Sequence, residues 1–254
     1  MFILYSAIVV FIYMTSVFGI GLLRKDNSIV DVSWGIGFIF ISILTFFMNP
    51  GFTWRHILVT GLVCIWGMRL ALYIYGRNKG RGEDFRYARW RKEWGKLFVW
   101  RSFFQVFMLQ GVFMLFISYP VMLVNNSEAK GFSVFDGVGA GIWLIGFLFE
   151  AVGDFQLLKF KKNPQNKGKI MTGGLWRFTR HPNYFGEVTL WWGIFLIALP
   201  LKDGWTAAIG PLLISFLLLR VSGVTLLEKK YAGNQEFLEY ARKTSLFFPW
   251  IPKK

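Results

Sequence analysis

Seven long apolar runs dominate this chain and restrict what it can fold into. They lie at residues 1–23, 32–48, 57–75, 102–124, 134–158, 188–201 and 205–227. A helix needs about 20 apolar residues to cross a bilayer, and only 32–48 and 188–201 are clearly short of that length. The chain is 54% hydrophobic and 19% aromatic, above the roughly 45–50% apolar content of soluble domains. The sequence therefore predicts an all-α integral membrane protein, a bundle of seven transmembrane helices.

The basic residues between the runs predict the orientation. Alternate connections carry 24 lysines and arginines on one side and 3 on the other. The positive-inside rule then places the N-terminus outside and the C-terminus in the cytoplasm. Two long loops, 76–101 and 159–187, and the tail 228–254 are predicted to be cytoplasmic, all within one membrane domain over 1–254. We expect a multi-pass protein of a bacterial inner membrane.

The net charge of +15 is explained by this topology and by contact with anionic membrane lipids, so no nucleic-acid partner is predicted. No basic residue precedes Ile20 and Arg24-Lys25 follows the first run, which indicates a retained span and not a cleaved signal peptide. A single cysteine, Cys64, and two histidines on opposite predicted sides, His56 and His181, argue against a metal site.

The segment 173–187 reads Gly-Gly-Leu-Trp-Arg-Phe-Thr-Arg-His-Pro-Asn-Tyr-Phe-Gly-Glu and directly precedes an apolar run. Pro182 suits the first turn of a helix, whose free N–H groups attract anions. Arg177 and Arg180 reinforce that attraction. Asn183 and Glu187 are four apart, on one helical face, where they can hold hydroxyl or amide groups. The alternative is a basic juxtamembrane loop with a capped helix.

Ionisable residues inside the apolar runs indicate a second set of functional candidates. Arg69 and Tyr73 share one helix face, as do Glu150 and Asp154. Asp31, beside Trp34, begins the second run, and Arg220 lies in the last one. Substrate or proton chemistry is one interpretation, and mutual neutralisation in buried ion pairs is the other.

The loop 76–101 has a basic and aromatic pattern. Aromatic residues recur every three to four positions, typical of a helix lying in the membrane interface: Tyr87, Trp90, Trp94 and Phe98. Glu83 and Asp84 precede this stretch, and a local ion pair with Arg86 would explain them without a functional role.

In the fifth run, Gly137 to Gly141 superficially match a dinucleotide fingerprint. No strand precedes them, so close helix packing through Gly137 and Gly141 is expected.

The segment 173–193 and the upstream Asp-Phe-Gln-Leu-Leu-Lys-Phe-Lys at 154–161 resemble the C-terminal region of the steroid 5α-reductase-like superfamily. The whole chain is similar to its bacterial DUF1295 branch, which shares the Asp-Val-Ser-Trp-Gly pattern at 31–35 and the Gly-Glu-Asp-Phe-Arg-Tyr pattern at 82–87. The resemblance implies a membrane reductase that uses NADPH to reduce a carbon–carbon double bond conjugated to a carbonyl in a lipophilic, steroid- or isoprenoid-like substrate.

The resemblance and the basic motif together give the predicted cofactor-binding residues: Tyr73, Asp154, Lys161, Arg177, Arg180, His181, Asn183, Tyr184, Glu187 and Arg220. The substrate half matches less well. The family has a glutamate in the second span and a tyrosine in the third, and only Asp31 and Trp66 are rough counterparts here. Since a carboxyl with a raised pKa can donate a proton to a developing enolate, Asp31 is the catalytic candidate and Glu83 the reserve.

A second enzyme class also fits the sequence. Isoprenylcysteine carboxyl methyltransferases carry a similar Arg-His-Pro-x-Tyr-x-Gly motif, here at 180–186, and a tail resembling the stretches at 228–231 and 239–249. That resemblance implies S-adenosylmethionine as the cofactor. A non-catalytic lipid-binding protein is the third interpretation.

Overall fold

A computed structural model describes residues 1–129 and 131–253, so Lys130 and Lys254, the latter in the predicted tail, lie outside the described residues. The described chain is helical and contains no strand. Its main helices are α1 (Phe2–Arg24), α2 (Ile29–Met48), α3 (Trp54–Asn78), α4 (Phe85–Ile117), α5 (Tyr119–Asn125), α6 (Val134–Lys162), α7 (Pro182–Ala198), α8 (Gly204–Tyr231) and α9 (Gln235–Lys243). The prediction of an all-α protein is confirmed.

Six of these helices are long and apolar enough to cross a membrane among the described residues: α1, α2, α3, α4, α6 and α8. Each of them overlaps one of the seven predicted spans, although α4 begins at Phe85, inside the predicted loop 76–101, and ends before the predicted span 102–124 does. The remaining one corresponds to α7, which has 17 residues. The protein therefore has the helices of a multi-pass membrane protein, whereas the seventh crossing and the orientation of the termini stay predictions.

Two helices depart from regular α geometry. Six residues of α4, Phe103–Met108, form a π-helical turn. In α8 a second π-turn at Leu217–Val221 is followed by a break at Ser222 and Gly223. A Cβ on Gly223 would overlap the carbonyl oxygen of Leu218, so only glycine fits this break. Such turns interrupt a helix at the cost of regular hydrogen bonding and are frequent at functional sites.

The chain divides into two compact units: 1–132 with 201–209, and 133–200 with 210–254. In the first unit, α2 and α3 touch backbone to backbone where Gly35 meets Gly67, since a Cβ on Gly67 would lie 2.6 Å from the Gly35 carbonyl oxygen. Small residues at such points allow close packing of membrane helices.

The second unit is built on the antiparallel pair α6 and α7. Gly139, Gly146 and Gly153 are seven residues apart on α6, and Gly186 and Gly193 face the first two of them from α7. A Cβ on Gly193 would lie 2.6 Å from the Gly139 carbonyl oxygen, and one on Gly146 would lie 2.6 Å from the Gly186 carbonyl oxygen. The expected packing through Gly141 is wrong, because nothing lies within 4 Å of a Cβ there.

The orientation of the chain is testable with reporter fusions. Because basic residues lie so unequally between alternate connections, a reporter fused after Ser127 should be external and one fused after Lys254 cytoplasmic. Alkaline phosphatase and green fluorescent protein activities measure the two locations. Reversed signals, or both reporters on one side, would contradict the seven-span topology.

Candidate functional site

The motif 173–187 forms a loop and the first turns of α7, within the second unit. Pro182 is the first residue of α7, as predicted, and His181 is its N-cap. The preceding loop contains a short 3-10 turn, Gly174–Arg177, that is fixed to α6. Trp176 donates its indole N–H to the Gly153 carbonyl, and the Leu175 N–H bonds to Gln156. The start of α7 is thus held against the middle of α6.

Arg180 makes four side-chain hydrogen bonds to protein partners. Its Nε and one terminal nitrogen bind the Glu228 carboxylate at 3.0 and 2.9 Å. Its other terminal nitrogen donates to the carbonyls of Ala241 and Thr244 at 2.8 and 2.9 Å. The side chain is 11% exposed. A bidentate pair of this kind is geometrically specific, and it occupies the guanidinium that was predicted to bind phosphate.

His181 shares the same carboxylate. Its Nε2 lies 3.0 Å from Glu228 Oε1, and its ring stacks on Tyr184 with centroids 5.7 Å apart. The side chain is only 4% exposed. The other ring nitrogen, Nδ1, is buried and has no hydrogen-bond partner among the described residues. A buried polar atom without a hydrogen-bond partner costs stability.

The C-terminal segment holds the motif loop through its backbone. Thr179 donates its hydroxyl to the Phe247 carbonyl at 2.8 Å, and the Arg180 N–H bonds to Ser245. The Tyr240 hydroxyl donates to the Trp176 carbonyl. Burial raises the pKa of Tyr240, so its hydroxyl remains a neutral donor at physiological pH. The tail is therefore part of the motif's framework.

A buried polar face runs along the contact between α6 and α7. Glu150 and Asp154 on α6 and Glu187 on α7 are all buried. Asn183 donates its amide N–H to Asp154 Oδ1 at 3.1 Å. The amide oxygen of Asn183 is buried and has no hydrogen-bond partner in the described part of the chain. Asp154, Asn183 and Glu187 are predicted cofactor residues on this contact, and Glu150 lies beside them as a buried carboxylate without a predicted cofactor role.

Three predicted cofactor cations lie on exposed surface of the second unit. Lys161 is near the end of α6, Arg177 is in the motif loop and Arg220 is in the π-turn of α8. Unlike the side chain of Arg180, these three side chains are exposed on the surface of the protein. The remaining predicted cofactor residue, Tyr73, belongs to the first unit, where Arg69 lies over its ring at 5.3 Å from the centroid.

In the first unit Asp31 accepts two hydrogen bonds from α4. Arg86 donates to Oδ2 and the Tyr87 hydroxyl donates to Oδ1, both at 2.7 Å. Tyr87 is 3% exposed, so it is not a surface aromatic of an interfacial helix as its spacing predicted. The guanidinium stabilises Asp31 as a carboxylate, and the phenol is the neutral O–H beside it.

Glu83 is the anchor of a neighbouring network in the same unit. It accepts from Arg91 at 2.8 and 3.0 Å and from the Asn27 N–H at 2.9 Å. Asp84 makes the local pair with Arg86 expected from the sequence, at 2.9 Å. Although burial opposes ionisation, the hydrogen bonds from Arg86 lower the pKa of Asp84. Glu83 thus joins α4 to the loop before α2.

Two residues of these clusters were not predicted as site residues. Glu228 lies 47 residues from His181 along the chain, and Tyr87 lies 56 residues from Asp31. Only their positions inside the quoted patterns at 228–231 and 82–87 signalled them. A contact between distant segments depends on how the helices pack, which residue spacing does not encode.

Comparison with known proteins supports the resemblance noted in the sequence. A family model described as "Protein of unknown function (DUF1295)" matches residues 17–244. The chain belongs to the DUF1295 family. No solved structure gives a significant match to this DUF1295 protein.

Curated relatives of this DUF1295 protein include proteins with two kinds of enzyme name. It is 25% identical over 214 residues to the uncharacterized protein C594.04c of Schizosaccharomyces pombe, which covers 73% of this chain and 61% of that protein. It is 42% identical over 69 residues to the probable O-methyltransferase ustE of Ustilaginoidea virens, covering 27% and 21%. It is 37% identical over 71 residues to 3-oxo-5-alpha-steroid 4-dehydrogenase 1 of Bos taurus, covering 28% and 27%. The alignments thus span less than two thirds of each relative.

Proposed function

We propose that this protein is a membrane-embedded, NADPH-dependent reductase of a carbon–carbon double bond conjugated to a carbonyl in a lipophilic, steroid- or isoprenoid-like substrate. The observation that carries the proposal is the buried polar face of α6 and α7, where the amide oxygen of Asn183 has no hydrogen-bond partner among the described residues. Similarity to the Bos taurus steroid dehydrogenase supports the reaction class.

The residue types of the second unit match the chemical groups of NADPH. Asp154 and Glu187 are buried carboxylates and suit ribose hydroxyls, while the Asn183 oxygen suits an N–H donor. Arg177, Arg220 and Lys161 are exposed cations and suit the phosphates. Arg180 does not serve a phosphate in this arrangement, because Glu228 already neutralises it. NADPH supplies hydride for the electron-poor carbon of the double bond.

We assign proton supply to Tyr87 together with Asp31. Asp31 is paired with Arg86 and acts as a hydrogen-bond acceptor, so the acidic hydrogen in this cluster belongs to the Tyr87 hydroxyl. Asp31 orients that hydroxyl, and a positioned phenol can stabilise and protonate an enolate oxygen. The tyrosine that the family pattern places in the third span would here come from α4. Glu83, held by Arg91 and Asn27, is a positioning residue in this scheme.

One observation favours a second function, methyl transfer from S-adenosylmethionine. Arg180 and His181 of the Arg-His-Pro motif contact Glu228, and these are the two segments that resemble membrane methyltransferases. The ustE relative, named a probable O-methyltransferase, matches over a short region. S-adenosylmethionine carries no phosphate, so the exposed cations of the second unit distinguish the two cofactors.

Ligand-induced thermal stabilisation separates the two functions. NADPH at one hundred times its Kd should stabilise the purified protein by about 2.7 kcal/mol, and S-adenosylmethionine should not. Added salt should weaken the NADPH effect, because phosphate contacts at exposed cations are screened. Arg177→Ala should reduce the shift, whereas Arg242→Ala, an exposed arginine on α9, should leave it unchanged. Stabilisation by S-adenosylmethionine alone would establish the methyltransferase function instead.

A further inference from the structure

The C-terminal segment carries an exposed apolar surface. After α9 the chain is not helical, and within 244–253 four large apolar side chains are 43–77% exposed: Leu246, Phe248, Trp250 and Ile251. Phe178 of the motif loop is 40% exposed and lies beside them, because its carbonyl accepts a hydrogen bond from the Trp250 N–H at 2.9 Å. We call these five side chains the tail patch. A contiguous apolar surface of this kind indicates a site of contact with lipid or protein.

Aromatic contacts fix the position of the tail patch along α6. Phe248 contacts Phe185 in the first turn of α7, with ring centroids 6.1 Å apart, and Phe185 contacts Phe149 of α6 at 5.1 Å. A Cβ on Gly153 would lie 3.3 Å from the backbone nitrogen of Asn183, so the start of α7 is level with Gly153. Phe248 is therefore level with the part of α6 between Phe149 and Gly153.

This part of α6 belongs to the section of the helix that faces lipid. Exposed apolar side chains recur along it every three to four residues, at Ile145, Leu148, Val152 and Phe155. The first exposed lysine of α6 is Lys159, and lysines near the end of a span reach for the headgroups. From Gly153 to Lys159 the helix rises about 9 Å. The tail patch thus lies at the depth where interfacial elements bury their apolar face, about 5–10 Å below the headgroups.

Basic residues lie at the base of the same segment. The Lys253 N–H donates to the Lys243 carbonyl at 2.8 Å, so the residues between them form a loop with its two ends together. Arg242, Lys243 and Lys253 are all exposed. Anionic headgroups attract such cations, and tryptophan is enriched at the membrane interface. An apolar loop with a basic base is therefore complementary to an anionic bilayer surface.

The protein itself satisfies backbone groups of this loop. Non-helical backbone at membrane depth is tolerated only where its polar groups have partners. The Ser245 carbonyl accepts from the Arg180 N–H at 2.9 Å. The Phe247 carbonyl accepts from the Thr179 hydroxyl at 2.8 Å. The loop can consequently present its side chains to lipid while these carbonyls remain hydrogen-bonded.

We propose that the tail patch is a membrane-insertion surface. Phe248, Trp250 and Ile251 lie among the lipids of the leaflet at which α6 ends, and the basic residues at the base of the loop contact phosphates of anionic headgroups. The partner is the bilayer because the tail patch lies at the depth of the lipid-facing side chains of α6 and is bordered by cations. Since the same loop binds Thr179 and Arg180, lipid contact here stabilises the motif loop.

Spin-label accessibility measures the insertion directly. The chain has a single cysteine, so Cys64→Ala gives a background for one label at Ile251→Cys, a side chain that is 77% exposed and makes little packing. In nanodiscs of phosphatidylcholine and phosphatidylglycerol we expect frequent collisions with oxygen and few with a water-soluble nickel chelate. A label at Leu148→Cys, on the lipid face of α6, should behave alike. Glu239→Cys, exposed on α9, is the matched control and should show the opposite preference.

Two outcomes of this measurement would refute the proposal. Nickel collisions at position 251 as frequent as at position 239 would place the tail patch in water. Protection from both reagents would place protein against it, and dipolar broadening between labels would identify that protein as a second copy of the chain.

Removing the aromatic side chains tests their role separately. Phe248→Ser combined with Trp250→Ser should expose the label at position 251 to the nickel chelate, because both side chains that hold the loop in the interface are lost. Leu238→Ser on α9, at a side chain 37% exposed, is the control and should leave the label protected. A label that stays protected in the double variant would refute insertion through these side chains.

Discussion

Replacing Gly186 by alanine should destabilise the second unit by at least the upper end of the roughly 1–3 kcal/mol range for overpacking. A Cβ at this position would overlap the Glu150 N–H of α6 and lie 2.5 Å from the Gly146 carbonyl oxygen. Both obstacles are backbone atoms, so no side chain can rotate to make room. The helices would have to separate, and Asn183 and Glu187 on the same face would move with α7.

Gly141→Ala is the matched control for this substitution. It lies on α6 of the same pair, but a Cβ there meets nothing within 4 Å, so its effect should be within about 0.5 kcal/mol. Melting temperature and the yield of monodisperse protein in detergent measure both variants. Equal melting temperatures would show that α6 and α7 do not approach through Gly186.

The apolar runs predicted most of the helices because length and hydropathy are local properties. The predicted span 134–158 lies inside α6, Val134–Lys162, and the predicted start of α7 at Pro182 is confirmed by its position in the helix. Even so, the glycines that join α6 and α7 were misassigned. Several glycines occur within a few residues of one another, and only packing shows that Gly139, not Gly141, faces α7.

The candidate site could be predicted only in outline. Residue type and spacing located the buried carboxylates and Asn183, because ionisable groups in an apolar helix are unusual wherever they occur. The role of Arg180 could not be predicted from residue type and spacing. As a residue in a basic motif it was predicted to bind phosphate, yet its donors are used by Glu228 and by carbonyls of the C-terminal segment. An arginine that the sequence predicts to be free for a ligand, Arg180, is thus neutralised by Glu228, a residue far along the chain.

Asp31→Asn and Tyr87→Phe should each reduce turnover of an enone substrate by about 10²- to 10⁴-fold while leaving NADPH affinity unchanged. Tyr87→Phe removes the only acidic hydrogen of the pair, and Asp31→Asn removes the charge that orients it at 2.7 Å. Single-turnover kinetics and ligand-induced thermal shift measure the two quantities separately. Because the two side chains act through one hydrogen bond, the double variant should be little worse than either single one.

Glu93→Gln is the control for loss of a carboxylate on α4. Glu93 pairs with Arg89 at 2.7 Å, but its side chain is 48% exposed, so the substitution should alter neither turnover nor stability appreciably. A structural role for Asp31 makes a different prediction: its variant would melt earlier, in proportion to the lost pair with Arg86, and the folded fraction would turn over normally. Tyr87→Phe then decides between the two, since it removes a single hydroxyl and leaves the Arg86 pair intact. Normal turnover in that variant would exclude Tyr87 as the proton donor.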